Sequence, residues 1–376
     1  MRVGGLLYAL TVDGVRALYV ENGNKVALHT EPSIDLITQL HDLRDELRDP
    51  LAIARGSLPK LRSFSSDWGR RLLPKQVTEA PPDVLVVIPH AALHDVPLHL
   101  VEFEDGLPLG SVTGVSYASS RTLFSRCAAR NPARGHSPPT NELVSGQVAH
   151  EFVGGGTDVV RRDPRFAEIP IRLARLYGVE EAELEPYESL ERFGVKWNGS
   201  PELGCVVAHG FIDRDNHRLS GLLVGEWEGI ILMRPIPLYG ESISFRDLPL
   251  RDVPPGVRTS LPTEVLTVAE LEIDAAVSAR LVLLLGCSAG SGRVLQADEP
   301  ASLAETFLHI GAASVIAPAW ATDIEAALEW TKAFGEAWVA RKSPTALAVR
   351  EATRRLLAAG FSPERFGALT LRGDWL

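Results

Sequence analysis

The sequence predicts an α/β protein: a parallel-sheet core flanked by helices, preceded by an N-terminal antiparallel strand meander and a helix. Three observations carry this reading. Four short apolar runs, VLVVI (84–88), CVVA (205–208), LVLLL (281–285) and SVIA (314–317), have the length and composition of strands buried on both faces. Helical patterns separate and follow them, notably ASLAETFLHIGA (301–312), IEAALEWTKAFGEAWVARK (324–342) and PTALAVREATRRLLAAG (344–360). Buried strands alternating with helices make a parallel sheet covered on both sides. The first thirty residues instead alternate with period two, the pattern of half-buried antiparallel strands.

In chain order, LLYALTV turns at Asp13-Gly14 into VRALYV, which turns at Asn22-Gly23 into KVALHT. Asp-Gly and Asn-Gly between alternating runs are strong hairpin signals, so the chain opens as a meander. Residues 34–48 carry Ile34, Ile37, Leu40 and Leu43 at amphipathic-helix spacing. From Asp83 the character changes, and VLVVI is bounded by Pro82 and Pro89. The closing FGALTLRGDWL has the pattern of one more strand. Residues 126–158 are polar, rich in Pro and Gly and without period, which predicts a mobile loop. Residues 225–262 form a second insertion with short strand-like pieces such as GIILM. The expected division is an N-terminal extension, 1–80, and a core, 81–376, with loop-like insertions near 126–158 and 225–262.

With 45% apolar and 23% charged residues over 376 positions, the composition is that of a soluble globular protein. No stretch reaches the roughly 18 apolar residues of a membrane span. The opening MRVGGLLYALTVDG has the alternation of a strand and lacks a signal-peptide cleavage pattern. Three cysteines without paired spacing predict no disulfide framework and a reducing cytoplasm. A net charge of −10 argues against a nucleic-acid binder and is compatible with basic peptide partners. No cofactor is expected.

Two of the buried strands lead into reactive residues. CVVA runs into His209-Gly210, and LVLLLG runs into Cys287, followed by Ser288-Ala289-Gly290. Side chains just past the carboxyl ends of neighbouring parallel strands converge on one crevice. A thiol is largely protonated at neutral pH, and a neighbouring imidazole can take that proton. Gly210 lets a substrate backbone approach, and its N–H could help hold an oxyanion. Cysteine is often buried as a small hydrophobe, and Cys127 and Cys205 are assigned to packing. Cys287 differs because the polar, glycine-rich GCSAGSG exposes a side chain rather than burying it.

Two other chemistries fit fragments of the sequence. Gly286-Cys287-Ser288-Ala289-Gly290 matches the serine-hydrolase elbow G-x-S-x-G, but His309 is the only later histidine and SGRVLQADEP stands where the elbow needs a helix. His90, His94, Asp95 and His99 have the look of metal ligands, but Pro97 denies them a common helix face, so no metal is expected. There His94 is expected to make structural hydrogen bonds at a strand end, with the other histidines exposed.

Taken in order, the blocks VLVVIPHAALHDVPLHLVEFEDGLPLG (84–110), VVAHGFIDRDNHRLSGLLVG (206–225), LTVAELEI (266–273), ARLVLLLGCSAGSG (279–292), FLHIGAASVIAPAWATDIEAA (307–327) and SPERFGALTLRGDW (362–375) resemble the CHAT family of caspase-like peptidases, relatives of separase, along almost the whole chain. The resemblance implies a caspase-like parallel-sheet core with an N-terminal extension, and it places the family's catalytic His and Cys on His209 and Cys287. The chain departs from the family at His90, where Asp is frequent, at QADEP (296–300), where a Gly-rich stretch is usual, and at 126–158. It lacks the helical repeats that precede the domain in many relatives, so any sensor or activator is expected to be a separate protein. In separase-like members an acidic residue after the Trp of the AWATD-like strand end lines the pocket for the first substrate side chain. Asp323 is the matching position, which would favour Arg or Lys at P1. Asp323 also stands where an N-cap is wanted for IEAALEW, and one residue could serve both ends. Asp298 and Glu299 are weaker pocket positions, expected to be solvated loop charges.

The expected activity is a cysteine endopeptidase. His209 deprotonates Cys287, and the backbone N–H groups of Gly210 and Cys287 hold the oxyanion. The family resemblance implies a prokaryotic regulatory peptidase that cleaves a dedicated protein in a stress, antiviral-defence or cell-death pathway. The alternative is a catalytically silent or activator-dependent scaffold of the same fold that binds partner proteins.

Overall fold

The computed structural model describes residues 1–31, 34–49, 57–131 and 300–376 without a break, and shorter segments between 143 and 298. The chain opens with β1 (Val3–Thr11), β2 (Gly14–Glu21) and β3 (Asn24–Glu31), a meander as expected. Asn22 and Gly23 both take positive φ, +50° and +83°, which gives the tight turn a twist that matches the flanking strands. In the first hairpin Thr11 pairs with Gly14, so the turn residues are Val12 and Asp13, one position earlier than the sequence signal. Gly14 spends its freedom as the first residue of the returning strand, at φ +137°. Helix α1 (Ile34–Leu47) buries Leu36, Leu40, Leu43 and Leu47, a stripe rotated from the expected one because Ile37 is only half-buried.

The remaining strands of the main sheet are β4 (Val84–Ile88), β5 (Gly114–Tyr117), β6 (Leu143–Gln147), β7 (Leu203–Val207), β8 (Leu281–Leu285), β9 (Ser314–Pro318) and β10 (Leu369–Gly373). Among the described residues they form one ten-stranded sheet in the order β3-β2-β1-β4-β5-β10-β9-β8-β7-β6. The sheet is mostly parallel, with β1, β4, β5 and β10 running one way and β9, β8, β7 and β6 the other. The two halves meet at the antiparallel pair β9–β10, from Ser314 opposite Gly373 to Pro318 opposite Leu369. The reversal follows from the connection. A single crossover helix returns the next strand in parallel, whereas α5 (Ile324–Gly335) and α6 (Thr345–Ala358) together bring the chain back to the end it left.

Residues 126–158, expected to be a loop, begin inside helix α3 (Arg121–Arg130) and contain β6, which pairs in parallel with β7 from Leu143 opposite Leu203 to Gln147 opposite Val207. LVSGQ escapes the apolar-run criterion because it is the last strand of the sheet among the described residues, where a continuous apolar run is not required. In the second insertion Trp227–Gly229 pairs with Thr259–Leu261, while 230–258 lie outside the described residues.

Alternation along each strand divides the core. Leu281, Leu283 and Leu285 of β8 pack with α5 and α6 residues such as Trp330, Phe334 and Val349. Val282 and Leu284 face the other layer, where Phe307 and Leu308 of α4 (Leu303–Ile310) and Cys127 of α3 pack. Under the other half of the sheet, α1 and α2 (Pro59–Ser66) bury Leu40 and Phe64 against Leu6, Leu85 and Val87. Among the described residues no helix is long and apolar enough to cross a membrane.

Candidate active site

β7, β8 and β9 are neighbours running the same way, so their carboxyl ends share one edge of the molecule. In the β8–β7 ladder Leu285 stands opposite Val207, and in the β8–β9 ladder Leu283 stands opposite Ile316. His209 and Cys287 lie outside the described residues, as does Ser288; in sequence the two each follow a member of the Val207–Leu285 pair by two positions. Gly210 begins a short strand, Gly210–Phe211, that pairs antiparallel with Gly221–Val224, which in turn pairs with Glu264–Thr267. The polypeptide leaving β7 thus passes directly into a small ribbon.

The chain leaving β8 is bracketed by described groups. Ala289 N–H donates to Gly286 C=O at 3.0 Å. Gly290 N–H donates to Pro318 C=O at the end of β9, 2.9 Å away, and Ala304 N–H of α4 donates to Ala289 C=O at 3.2 Å. The guanidinium of Arg372, on β10, donates through Nη2 to Gly290 C=O at 3.0 Å and pairs through Nη1 with Glu305 of α4 at 3.1 Å. Further on, Arg293–Val294 pairs with Pro300–Ala301. Asp298, in the left-handed region at φ +66°, accepts from Ala91 N–H at 2.5 Å and lies 3.3 Å from His94 Nε2. Asp298 is therefore not a solvated loop charge: it ties this segment to the residues after β4. Burial lowers the His94 pKa, with Asp298 opposing the shift. Glu299 lies outside the described residues.

The histidine-rich stretch after β4 divides among separate partners. His90 Nδ1 accepts from Leu10 N–H at 3.1 Å, Asp95 pairs with Arg48 at 2.9 Å, and His94 faces Asp298. His99, expected to be exposed, is partly buried: Nδ1 meets the Tyr117 hydroxyl at 2.8 Å, and Nε2 donates to Gly367 C=O at 2.7 Å. Among the described residues no three such side chains gather to hold a metal.

Cys127 and Cys205 are buried in the core as expected, and desolvation pushes both thiols up to about 12. Neither can supply a thiolate at neutral pH. Among the described residues the first helix after β8 begins at Leu303, and Arg293–Val294, five positions past Ser288, is a strand where a serine elbow requires a helix. His309 is exposed in the last turn of α4, which leads to the start of β9, at the end of the sheet away from Leu285.

Asp323 is the N-cap of α5. Its Oδ1 accepts from Ala326 N–H at 2.9 Å and from Arg365 Nη2 at 2.7 Å. Arg365 also reaches Glu325 at 2.9 Å and lies over the Phe361 ring. Arg372 and Glu305 escaped the sequence reading. The available signal was an arginine inside the apolar strand LTLRG, where an unpaired charge would not be tolerated.

The CHAT domain profile matches residues 67–362. No curated protein matches the chain in sequence. Among solved structures it is similar to the Arg-specific cysteine proteinase gingipain R (RgpB), at 10% identity and a TM-score of 0.45, over 88% of this chain and 69% of that one. It is also similar to a chain of the Saccharomyces cerevisiae separase–securin complex, at 12% identity and a TM-score of 0.45, over 78% of this chain and 15% of that one. A third similarity is to the complex of Porphyromonas gingivalis RgpB pro- and mature domains, at 11% identity and a TM-score of 0.44, over 91% and 75% of the two chains.

Proposed function

The chain belongs to the CHAT domain family, and from that premise we propose that it is a cysteine endopeptidase with Cys287 as nucleophile and His209 as general base. The observation that carries the reading is the parallel register of β7 and β8, which stands Val207 opposite Leu285 and so starts both reactive segments from one edge. Burial of Cys127 and Cys205 supports it, because Cys287 is the remaining cysteine of the chain.

In this mechanism the His209 imidazole takes the Cys287 Sγ proton, and the thiolate attacks the scissile carbonyl carbon. The N–H groups of Gly210 and Cys287 stabilise the oxyanion. The tetrahedral species collapses to a thioester as the amine leaves with the proton held by His209. Water, deprotonated by His209, then attacks the thioester, releasing the carboxyl product and restoring the thiol. Residues 1–80 serve as an extension of the peptidase core 81–376. The substrate is a dedicated protein in a prokaryotic regulatory, defence or cell-death pathway in the cytoplasm, with a separate activator or sensor.

A basic P1 side chain would meet Asp323. Because Oδ1 of that residue already serves Ala326 and Arg365, an incoming Arg or Lys must use Oδ2 or displace Arg365. The test is cleavage of a diverse peptide library, alone and with partner proteins, by the wild type and by Cys287→Ala, Ser288→Ala and Asp323→Ala. Cys287→Ala is expected to abolish cleavage and Ser288→Ala to leave it within a few-fold. Asp323→Ala is expected to reduce cleavage after Arg and Lys selectively. Loss of stability with unchanged specificity would confine Asp323 to capping. The reverse pattern at 287 and 288 would replace the mechanism with a serine nucleophile, and no cleavage under any condition would favour a partner-binding scaffold.

A further inference from the structure

Arg372 is the fourth residue of the five-residue strand β10, with its side chain 10% exposed, paired to a Glu305 side chain that is 2% exposed. Stability alone does not account for this pair. Removing two ions from water costs several kcal/mol each, and their mutual attraction returns that only with full hydrogen bonding. Here Arg372 Nε and Glu305 Oε2 are buried and find no hydrogen-bond partner among the described residues. An apolar pair of similar volume would serve the core as well.

The charged pair supplies one thing that an apolar pair cannot, a donor aimed at Gly290 C=O. Gly290 is three positions past Cys287, and its N–H is held by Pro318 at the end of β9. A Cβ at this position would come within 3.2 Å of the carbonyl oxygens of both Ala317 and Pro318, so the backbone itself is pressed against β9. Both polar groups of Gly290 are thus fixed by adjacent strands, and Glu305, on α4, fixes the guanidinium from the far side.

We propose that Arg372, oriented by Glu305, is a positioning residue for Cys287: it clamps Gly290, three positions downstream of the nucleophile, to the sheet so that the thiol is presented to its base. The inference rests on the Cys287/His209 reading and assigns to that site a support that the sequence did not reveal. A misplacement of about 1 Å in a reacting group can cost roughly a hundredfold in rate, so a segment loosened at Gly290 should lose its reactivity while the fold persists.

The test reads Cys287 directly. Wild type, His209→Ala and the double variant Arg372→Met/Glu305→Leu are alkylated with iodoacetamide across a pH series, Cys287 modification is quantified by peptide mass spectrometry, and melting is recorded in parallel. The double variant is expected to melt within a few degrees of wild type, while its alkylation profile moves up in pH to join that of His209→Ala. A wild-type profile in the double variant, with His209→Ala still shifted, would overturn the clamp and leave the dyad standing. Coincidence of wild type and His209→Ala would remove the dyad, and the clamp with it. Should the double variant fail to fold, Arg372→Lys keeps a charge beside Glu305 but gives up the fork that also reaches Gly290. It is expected to shift the profile in the same direction, and an unshifted profile there would equally overturn the proposal.

Discussion

The half-buried His99 shows how a single imidazole held off from water gives the whole protein a pH dependence. Gly367 C=O can only accept, so Nε2 carries the proton, and Nδ1 is left to accept from the Tyr117 hydroxyl, which itself accepts from His99 N–H. Burial pushes the imidazole down to about 4, opposed by the Gly367 hydrogen bond. The unfolded chain, with an ordinary imidazole near 6.5, then binds the proton more tightly than the folded one. Stability is therefore full above about 6.5, falls as pH drops through that value, and levels off below about 4, with roughly 2 kcal/mol lost between pH 7 and pH 5. His94, also lowered by burial, acts in the same direction. Urea unfolding at pH 7 and pH 5 is expected to show this loss in wild type and a smaller one in His99→Gln; equal losses would contradict it. Residues of this kind were poorly legible in the sequence. Cys127 and Cys205 could be assigned to packing from residue type, whereas His99 and Arg372 depend on Gly367 and Glu305, which are distant in sequence and follow from the topology alone.

At the scale of elements, periodicity located α1, α4, α5 and α6 and eight of the ten strands of the main sheet, but not α2, α3, β5 or β6, because only burial on one face or two leaves a direct trace in residue order. It did not give direction. That β10 runs against β9 is decided by the paired helices α5 and α6 between them. The same pair of layers sets a close approach that periodicity also cannot show: a Cβ on Gly114 of β5 would lie 2.7 Å from the carbonyl of Ala346 in the first turn of α6. Gly114→Ala must push helix and strand apart, and overpacking of this kind costs about 1–3 kcal/mol. Urea unfolding should report that loss, and a wild-type midpoint would show that α6 is not seated on β5 as described. β6 was missed for the opposite reason, since LVSGQ, the last strand of the described sheet, is too polar to register as a buried strand.

Among the described residues the N-terminal strands and the strands of the core join in one ten-stranded sheet. β1 joins β4 in parallel, Leu6 opposite Val87, and the N-terminal residues share a core with Leu85, Val87 and Tyr117. The sheet's two parallel halves run in opposite directions. In the half formed by β6 to β9, the strands β7, β8 and β9 bring three carboxyl ends to one edge, followed in sequence by segments that the sequence had marked: His209-Gly210, Cys287 and Asp323. The candidate residues could be picked out because strand-end chemistry is local in sequence. Arg372 of β10 and Glu305 of α4, which meet beside Gly290, could not, because they come from distant parts of the chain. The central claim, that this edge carries a thiol activated by an imidazole, is tested most directly with a library of peptides ending in a thiol-reactive acyloxymethyl ketone, followed by mapping of the labelled residue in wild type and His209→Ala. The account predicts labelling of Cys287 in wild type and its loss in His209→Ala. Labelling at Ser288, or equal labelling of Cys287 in both proteins, would contradict it.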